Sequence, residues 1–306
     1  MFVRVVARLA GEATAPFGGW RGALADYYDL TKPRIISLLL VTTLAAMVMA
    51  ARGLPPLGLI LATLIGGALF AGSAGAFNCI IDRDIDRLMA RTQGRPLAAG
   101  RIEIAHAALF ATVLGILAFA LLYTFVNSLA AWLSLAGNLY YVVIYTLWLK
   151  RSTALNIVIG GVAGAIPPLV GWAAVTHTIG LPALGLFALI FLWTPPHFWA
   201  LALMVETDYH RANIPMLPNV RGVEHTKLQI FIYTMILVAV SLALTPLGIL
   251  GWWYFFPAAI LGAIFLIDAW KMLRGPTRPL ARTVFTYSLL YLALMCAAMV
   301  ADRVIG

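Results

Sequence analysis

Nine uninterrupted apolar stretches, parted by short polar segments, set the rhythm of the chain: residues 35–51, 57–77, 104–125, 129–149, 155–174, 181–204, 228–247, 250–269 and 284–301. Each has the length, roughly 17 to 24 residues, that an α-helix needs to cross about 30 Å of hydrocarbon. Strands of a membrane barrel would alternate apolar and polar positions over about ten residues, and these runs are continuous and longer. The pattern predicts an all-α polytopic membrane protein with nine transmembrane helices. It divides into an N-terminal segment 1–34, a transmembrane domain 35–301 and a short tail 302–306.

Composition agrees: 62% of residues are hydrophobic and 11% charged, with a mean hydropathy of +0.94. The net charge of +9 invites a nucleic-acid reading, but its distribution argues against one. With the N-terminus cytoplasmic and the loops alternating, 19 of the 21 Lys and Arg residues fall on the cytoplasmic side, leaving only Arg52 and Arg303 outside. The positive-inside rule then gives N-in and C-out. The basic excess is orientation signal and contact with lipid headgroups. Ten of the twelve acidic residues lie on the same side, so any chemistry is expected at the cytoplasmic face. Cys79 and Cys296 stand too far apart in the pattern to imply a disulfide framework. The first 25 residues carry Arg4, Arg8 and Arg21 without an apolar core and cleavage site, and read as a short amphipathic cytoplasmic leader.

The second and sixth stretches end in acidic clusters, Asn78 to Asp86 and Glu206 to Asp208, each followed by a long polar loop and two closely spaced spans. This weak repeat predicts two four-helix halves around a central cavity, with the ninth helix appended and a binding site between the halves.

The chemistry concentrates in Asn78-Cys79-Ile80-Ile81-Asp82-Arg83-Asp84-Ile85-Asp86. At about 100° per residue, Asn78, Asp82 and Asp86 lie within roughly 80° of one another on a helix face. Three oxygen-bearing side chains so placed suit a hard divalent cation, and Mg²⁺ in such sites shares its shell with phosphate. Arg83, Arg87, Arg91, Arg95 and Arg101 follow at once, so a diphosphate site is expected. Taken singly, an Asp here is a solvated helix end paired to Arg83 or Arg87. Asp84 points away, about 200° from Asp82, and reads as a salt-bridge residue. Glu206 and Asp208, at i and i+2, do not share a helix face. Lys32-Pro33-Arg34 also reads as an ordinary membrane anchor, and Arg91 and Arg95 as orientation signal. His197, beside Pro195-Pro196 inside a span, is a polar group at depth, which is costly without a role. His106 and His177 lie near span ends and carry little weight.

Taken together these strings resemble the UbiA-type intramembrane prenyltransferases, in particular their haem-modifying branch. The resemblance rests on Leu30-Thr31-Lys32-Pro33-Arg34, Asn78 to Asp86, Arg91-Thr92 with Arg95-Pro96-Leu97, and Tyr145-Thr146 with Leu149-Lys150-Arg151. It extends to Pro167-Pro168, Thr194-Pro195-Pro196-His197-Phe198-Trp199 and Asp208-Tyr209 leading to Ile214-Pro215-Met216-Leu217-Pro218, nearly the whole chain. It implies farnesyl transfer from farnesyl diphosphate to a vinyl group of haem B. Mg²⁺ would be held by Asn78, Asp82, Asp86 and Asp208, and the diphosphate by Lys32, Arg34, Arg91, Arg95, Lys150 and Arg151. His197 would contact the haem iron or the porphyrin. The family's second motif commonly pairs two aspartates four apart, whereas position 212 here is Ala212, so Asp208 is carried over and Glu206 is not. The resemblance also implies a haem A-forming enzyme or terminal oxidase as a partner, and the compact length fits a bacterial plasma membrane, since a mitochondrial inner-membrane homologue would usually carry a longer leader. A relative acting on a quinone precursor or a chlorin would share the aspartate site. A transporter would place paired charges at mid-membrane, not at one face.

Overall fold

The computed structural model describes residues 19–305; Arg4, Arg8 and the start of the expected leader lie outside them. The described chain is helical throughout: α1 (Gly19–Leu30), α2 (Pro33–Ala51), α3 (Leu57–Ile81), α4 (Arg83–Asp86), α5 (Ile104–Phe125), α6 (Ser128–Ser152), α7 (Asn156–Thr176), α8 (Leu181–Met204), α9 (Glu206–Arg211), α10 (Leu217–Arg221), α11 (Val223–Ala243), α12 (Trp252–Arg274) and α13 (Thr277–Ile305). Among the described residues, nine of these are long and apolar enough to cross a membrane.

The nine stretches read from hydropathy match them one for one, with shifted ends. Hydropathy stops at the first charge, whereas the backbone hydrogen-bond ladder continues while the side chains find partners. α3 runs past residue 77 to Ile81 and so takes Asn78 into the helix. α11 begins at Val223, five residues early, because the buried Lys227 is satisfied by Glu224 Oε1 at 2.9 Å and the Gly275 carbonyl at 3.2 Å. α13 keeps Asp302, whose carboxylate accepts the Gly251 and Tyr254 amides at 2.7 and 3.1 Å and caps the start of α12. In α6 residues Tyr140–Leu149 are wound as a π-helix, a rare register that collects at functional sites.

Consecutive spans pack on one another in the same order in both parts of the chain: α2 on α3, α3 on α5 and α5 on α6, then α7 on α8, α8 on α11 and α11 on α12. The two series meet where α7 packs on α2 and α6, and α13 bridges α12, α8 and α2. In α8, 67% of the apolar stretch is buried, against 17% in α5, so α8 lies inside the bundle and α5 faces lipid. α1 is tied down by Tyr27 on Phe110, ring centroids 5.0 Å apart, and by Asp26 with Arg101.

At the α2–α7 crossing the backbones lie very close: a Cβ on Gly171 would stand 2.2 Å from the Thr43 carbonyl oxygen. Neither helix can yield without moving its neighbours, and overpacking of this kind costs about 1–3 kcal/mol or more. Gly171→Ala is therefore expected to lower the unfolding temperature in detergent. Gly164→Ala on the same helix, where nothing lies within 4 Å of the added Cβ, should leave it unchanged.

Candidate active site

The site forms where the chain entering α2 lies against the end of α3. A Cβ on Gly75 would meet the Thr31 and Leu30 carbonyl oxygens at 2.9 and 3.2 Å, so only glycine lets this backbone lie so close. Lys32 adopts a left-handed conformation there, φ 59° and ψ 57°, which disfavours a side chain with a Cβ. Its ammonium donates to Asn78 Oδ1. Burial lowers the Lys32 pKa from its ordinary value, against the opposing pull of Asp82 and Asp86.

α3 ends at Ile81, Asp82 makes a bend, and α4 resumes the helix to Asp86. The Asp82 amide still bonds to the Asn78 carbonyl at 2.9 Å and the Asp86 amide to the Asp82 carbonyl at 2.8 Å. The i, i+4 spacing therefore survives the bend. Asn78, Asp82 and Asp86 are 2%, 0% and 2% exposed, which rules out a solvated helix end.

Burial obliges each to find a partner. Asn78 takes Lys32, Asp82 Oδ2 takes Lys150, and Asp86 takes Arg95 Nη1 on both oxygens at 2.9 and 2.8 Å. Asn78 Nδ2 donates to Asp82 Oδ2 at 2.8 Å and to Thr146 Oγ1 at 3.0 Å. Thr92 Oγ1 donates to the Asp86 carbonyl at 3.1 Å. One acceptor is left over: Asp82 Oδ1 is buried without a hydrogen-bond partner, the nearest guanidinium nitrogen, of Arg151, being 4.0 Å away. Among the described residues no three His, Cys, Asp or Glu side chains converge as a ready metal site; the ladder is one carboxamide followed by two carboxylates, and a cation sits on each.

Asp84 behaves as its angle predicts. It is exposed and receives Arg151 on both oxygens at 2.7 and 2.6 Å, and the hydrogen bond from Arg151 lowers its pKa below the usual carboxylate value. Arg151 also donates to the Ile81 carbonyl at 2.7 Å. Adjacent residues Lys150 and Arg151 thus serve different carboxylates. Arg151 lines a separate cleft of about 500 Å³ with Arg83, Asp84 and Arg87, floored by Ile104 and Leu147.

The second acidic cluster reaches the first through the loop after α4. Asp208 accepts the Ala90 and Arg91 amides, both at 3.3 Å. The neighbouring Tyr209 is buried and hydrogen-bonded to Arg91; burial raises its pKa, with Arg91 and Arg95 opposing. Arg34 is exposed and Glu206 half-buried. His197 is 7% exposed and stacked between Trp193 and Phe285, centroids 4.3 and 4.7 Å away. Its Nδ1 meets Ser288 Oγ at 2.7 Å. Because the Ser288 hydroxyl donates to the Phe285 carbonyl at 2.7 Å, Nδ1 carries the proton and Nε2 keeps its lone pair. His106 pairs only with exposed Glu103, and His177 ends α7. The roles of Tyr209 and Thr146 escape a sequence reading, since their partners Arg91 and Asn78 come from distant elements.

Comparison with known proteins gives the same answer from three directions. Residues 39–298 match the model of the UbiA prenyltransferase family. A protoheme IX farnesyltransferase of Gloeobacter violaceus is 57% identical over 92% of this chain and 93% of its own length. That of a Synechocystis species is 55% identical over 90% and 88%. Among solved structures, a digeranylgeranylglyceryl phosphate synthase aligns with a TM-score of 0.77 at 19% identity, covering 92% of this chain and 99% of its own. A UbiA homologue from Archaeoglobus fulgidus bound to DMAPP and Mg²⁺ aligns at 0.65 and 16% identity, covering 90% and 99%. These structures share the fold of this chain.

Lys150 is the cation on the most deeply buried carboxylate. Removing one partner of such a pair costs about 3–5 kcal/mol. Lys150→Met is expected to lower the unfolding temperature in metal-free detergent solution, with partial recovery on adding millimolar Mg²⁺. An unchanged unfolding temperature would show that Asp82 does not depend on Lys150.

Proposed function

The chain belongs to the UbiA prenyltransferase family, and on that premise we propose that it transfers the farnesyl group of farnesyl diphosphate to a vinyl group of haem B, with addition of water, to form haem O. What carries the reading is the Asn78–Asp82–Asp86 ladder with its unpartnered Asp82 Oδ1, in a chain 57% identical over most of its length to a protoheme IX farnesyltransferase.

The ladder fits Mg²⁺. Its donors are all oxygens, as a hard cation prefers, and a bare buried carboxylate oxygen is a position that a cation would satisfy. Asn78, Asp82 and Asp86 would hold the ion, with Asp208 approaching from the loop it anchors. Bound there, Mg²⁺ would supply Lewis-acid stabilisation of the departing diphosphate.

This chain's own residues supply the rest. Lys32, Lys150 and Arg95, which pair with the ladder, would turn to diphosphate oxygens once the ladder is engaged, with Arg91, Arg34 and Arg151 as further candidates. The C–O bond of farnesyl diphosphate breaks, and diphosphate leaves with the electron pair. The π electrons of the vinyl group form the new C–C bond. Water adds to the cation left beside the porphyrin and releases a proton, giving a hydroxyethylfarnesyl group. A membrane-embedded site keeps bulk water from the allylic cation before the vinyl group reacts. His197, with both faces covered, offers haem only its Nε2 edge.

The distribution of Lys and Arg supports a site facing the cytoplasm, in what we take to be a bacterial plasma membrane. The product would pass to a haem A-forming enzyme or a terminal oxidase in the same bilayer. A quinone precursor or chlorin as acceptor would use the same ladder, and the test separates the acceptors.

Purified protein with haem B, farnesyl diphosphate and Mg²⁺ should yield haem that has gained one farnesyl and one hydroxyl group by mass spectrometry. Asp82→Asn and Asp86→Asn should each slow this at least about 100-fold, near 2.7 kcal/mol of transition-state stabilisation. Prenylation of a quinone precursor or chlorin instead of haem would move the chain to a sister activity. Failure to turn over any prenyl diphosphate would contradict the enzyme reading and reopen that of a transporter.

A further inference from the structure

A carboxamide has two ends, and only its oxygen binds a cation. Which end of Asn78 faces the site is set by the groups around it. Both of its N–H bonds are spent, one on Asp82 Oδ2 at 2.8 Å and one on Thr146 Oγ1 at 3.0 Å. Thr146 accepts there because its own proton goes elsewhere, to the Tyr141 carbonyl at 2.8 Å. That carbonyl lies five residues back. A threonine in a regular helix turns to a carbonyl three or four residues back, so this bond belongs to the π register of Tyr140–Leu149. Thr146 is 0% exposed, and no water competes for its oxygen.

We propose that Thr146, oriented by the π-helical turn of α6, is a positioning residue that fixes the Asn78 carboxamide with Oδ1 toward the metal–diphosphate complex. The inference rests on the functional reading above. In this structure Lys32 also holds Oδ1. When a cation takes that place, Asp82 and Thr146 alone keep the amide from turning its NH₂ toward the ion. The rarity of the π-helix then has a chemical reason, because a regular helix would send the Thr146 proton to a different carbonyl.

The test uses the full chain in detergent, with Mn²⁺ as the probe and an unreactive farnesyl thiodiphosphate present. Mn²⁺ binding is followed by electron paramagnetic resonance beside thermal unfolding. Thr146→Val removes the acceptor and keeps the shape; it should weaken Mn²⁺ binding about tenfold, the loss of one buried hydrogen bond. The Mg²⁺ concentration for half-maximal turnover should rise in step. Thr146→Ser, which restores the hydroxyl, should stay within about twofold of the parent. If the valine variant does not fold, Thr146→Ala takes its place with the same expected loss. Parent-like Mn²⁺ binding by the variant lacking the hydroxyl would overturn the proposal. So would a serine variant as impaired as the valine one, since packing of the methyl group would then be the cause. A parent protein that binds no Mn²⁺ with the thiodiphosphate would instead defeat the functional reading itself.

Discussion

Two carboxylates and a carboxamide, buried together at the end of a membrane span, must be hydrogen-bonded, and the carboxylates neutralised, by groups brought from elsewhere, and the site is arranged around that demand. An unpaired buried charge costs several kcal/mol even after relaxation. Lys32 arrives from the turn before α2, Lys150 from the end of α6, and Arg95 from the loop after α4. Each approach needs its own local feature: the bare Gly75 face under Thr31, the π register of α6, and the loop pinned by Asp208 through two backbone amides. The same three cations suit a diphosphate, so in the proposed reaction one set of charges would serve both the ladder and the leaving group.

The packing order gives this cluster its place. α3 with α5, and α8 with α11, are corresponding pairs in the two series of spans, each joined by a polar loop. The loop after α3 carries the ladder's end and Arg95; the segment after α8 carries Asp208. Their meeting at Ala90 and Arg91 links the two series at the face where the acids gather. α8, the most buried span, brings His197 to α13 through Ser288 and Phe285.

Much of this was legible in the residues. Nine spans followed from continuous apolar runs, and the ladder's common face from spacing alone, because the bend at Asp82 preserves the i, i+4 hydrogen bonds. The outward turn of Asp84 followed from the same angle. What stayed hidden depends on partners remote in sequence. Nothing in Tyr140–Leu149, with no Gly or Pro, announces a π-helix, so the role of Thr146 was not visible. Lys150 and Arg151 look alike as neighbours, yet one serves Asp82 and the other Asp84. The solvated-end reading of Asp82 and Asp86 failed because the cations that permit their burial come from other elements. For His197 the sequence showed a polar group at depth but not what surrounds it: Trp193 is one helical turn away, whereas Phe285 and Ser288 belong to α13.

In the proposed reaction the cations that hold the ladder exchange it for substrate. The most direct test is an experimental structure of the protein with Mg²⁺ and farnesyl thiodiphosphate. The account predicts a metal ion on Asp82 Oδ1 and Asn78 Oδ1, with the Lys32 and Lys150 ammonium groups moved onto diphosphate oxygens. Metal and diphosphate bound elsewhere, with Lys32 still on Asn78 and Lys150 still on Asp82, would contradict it.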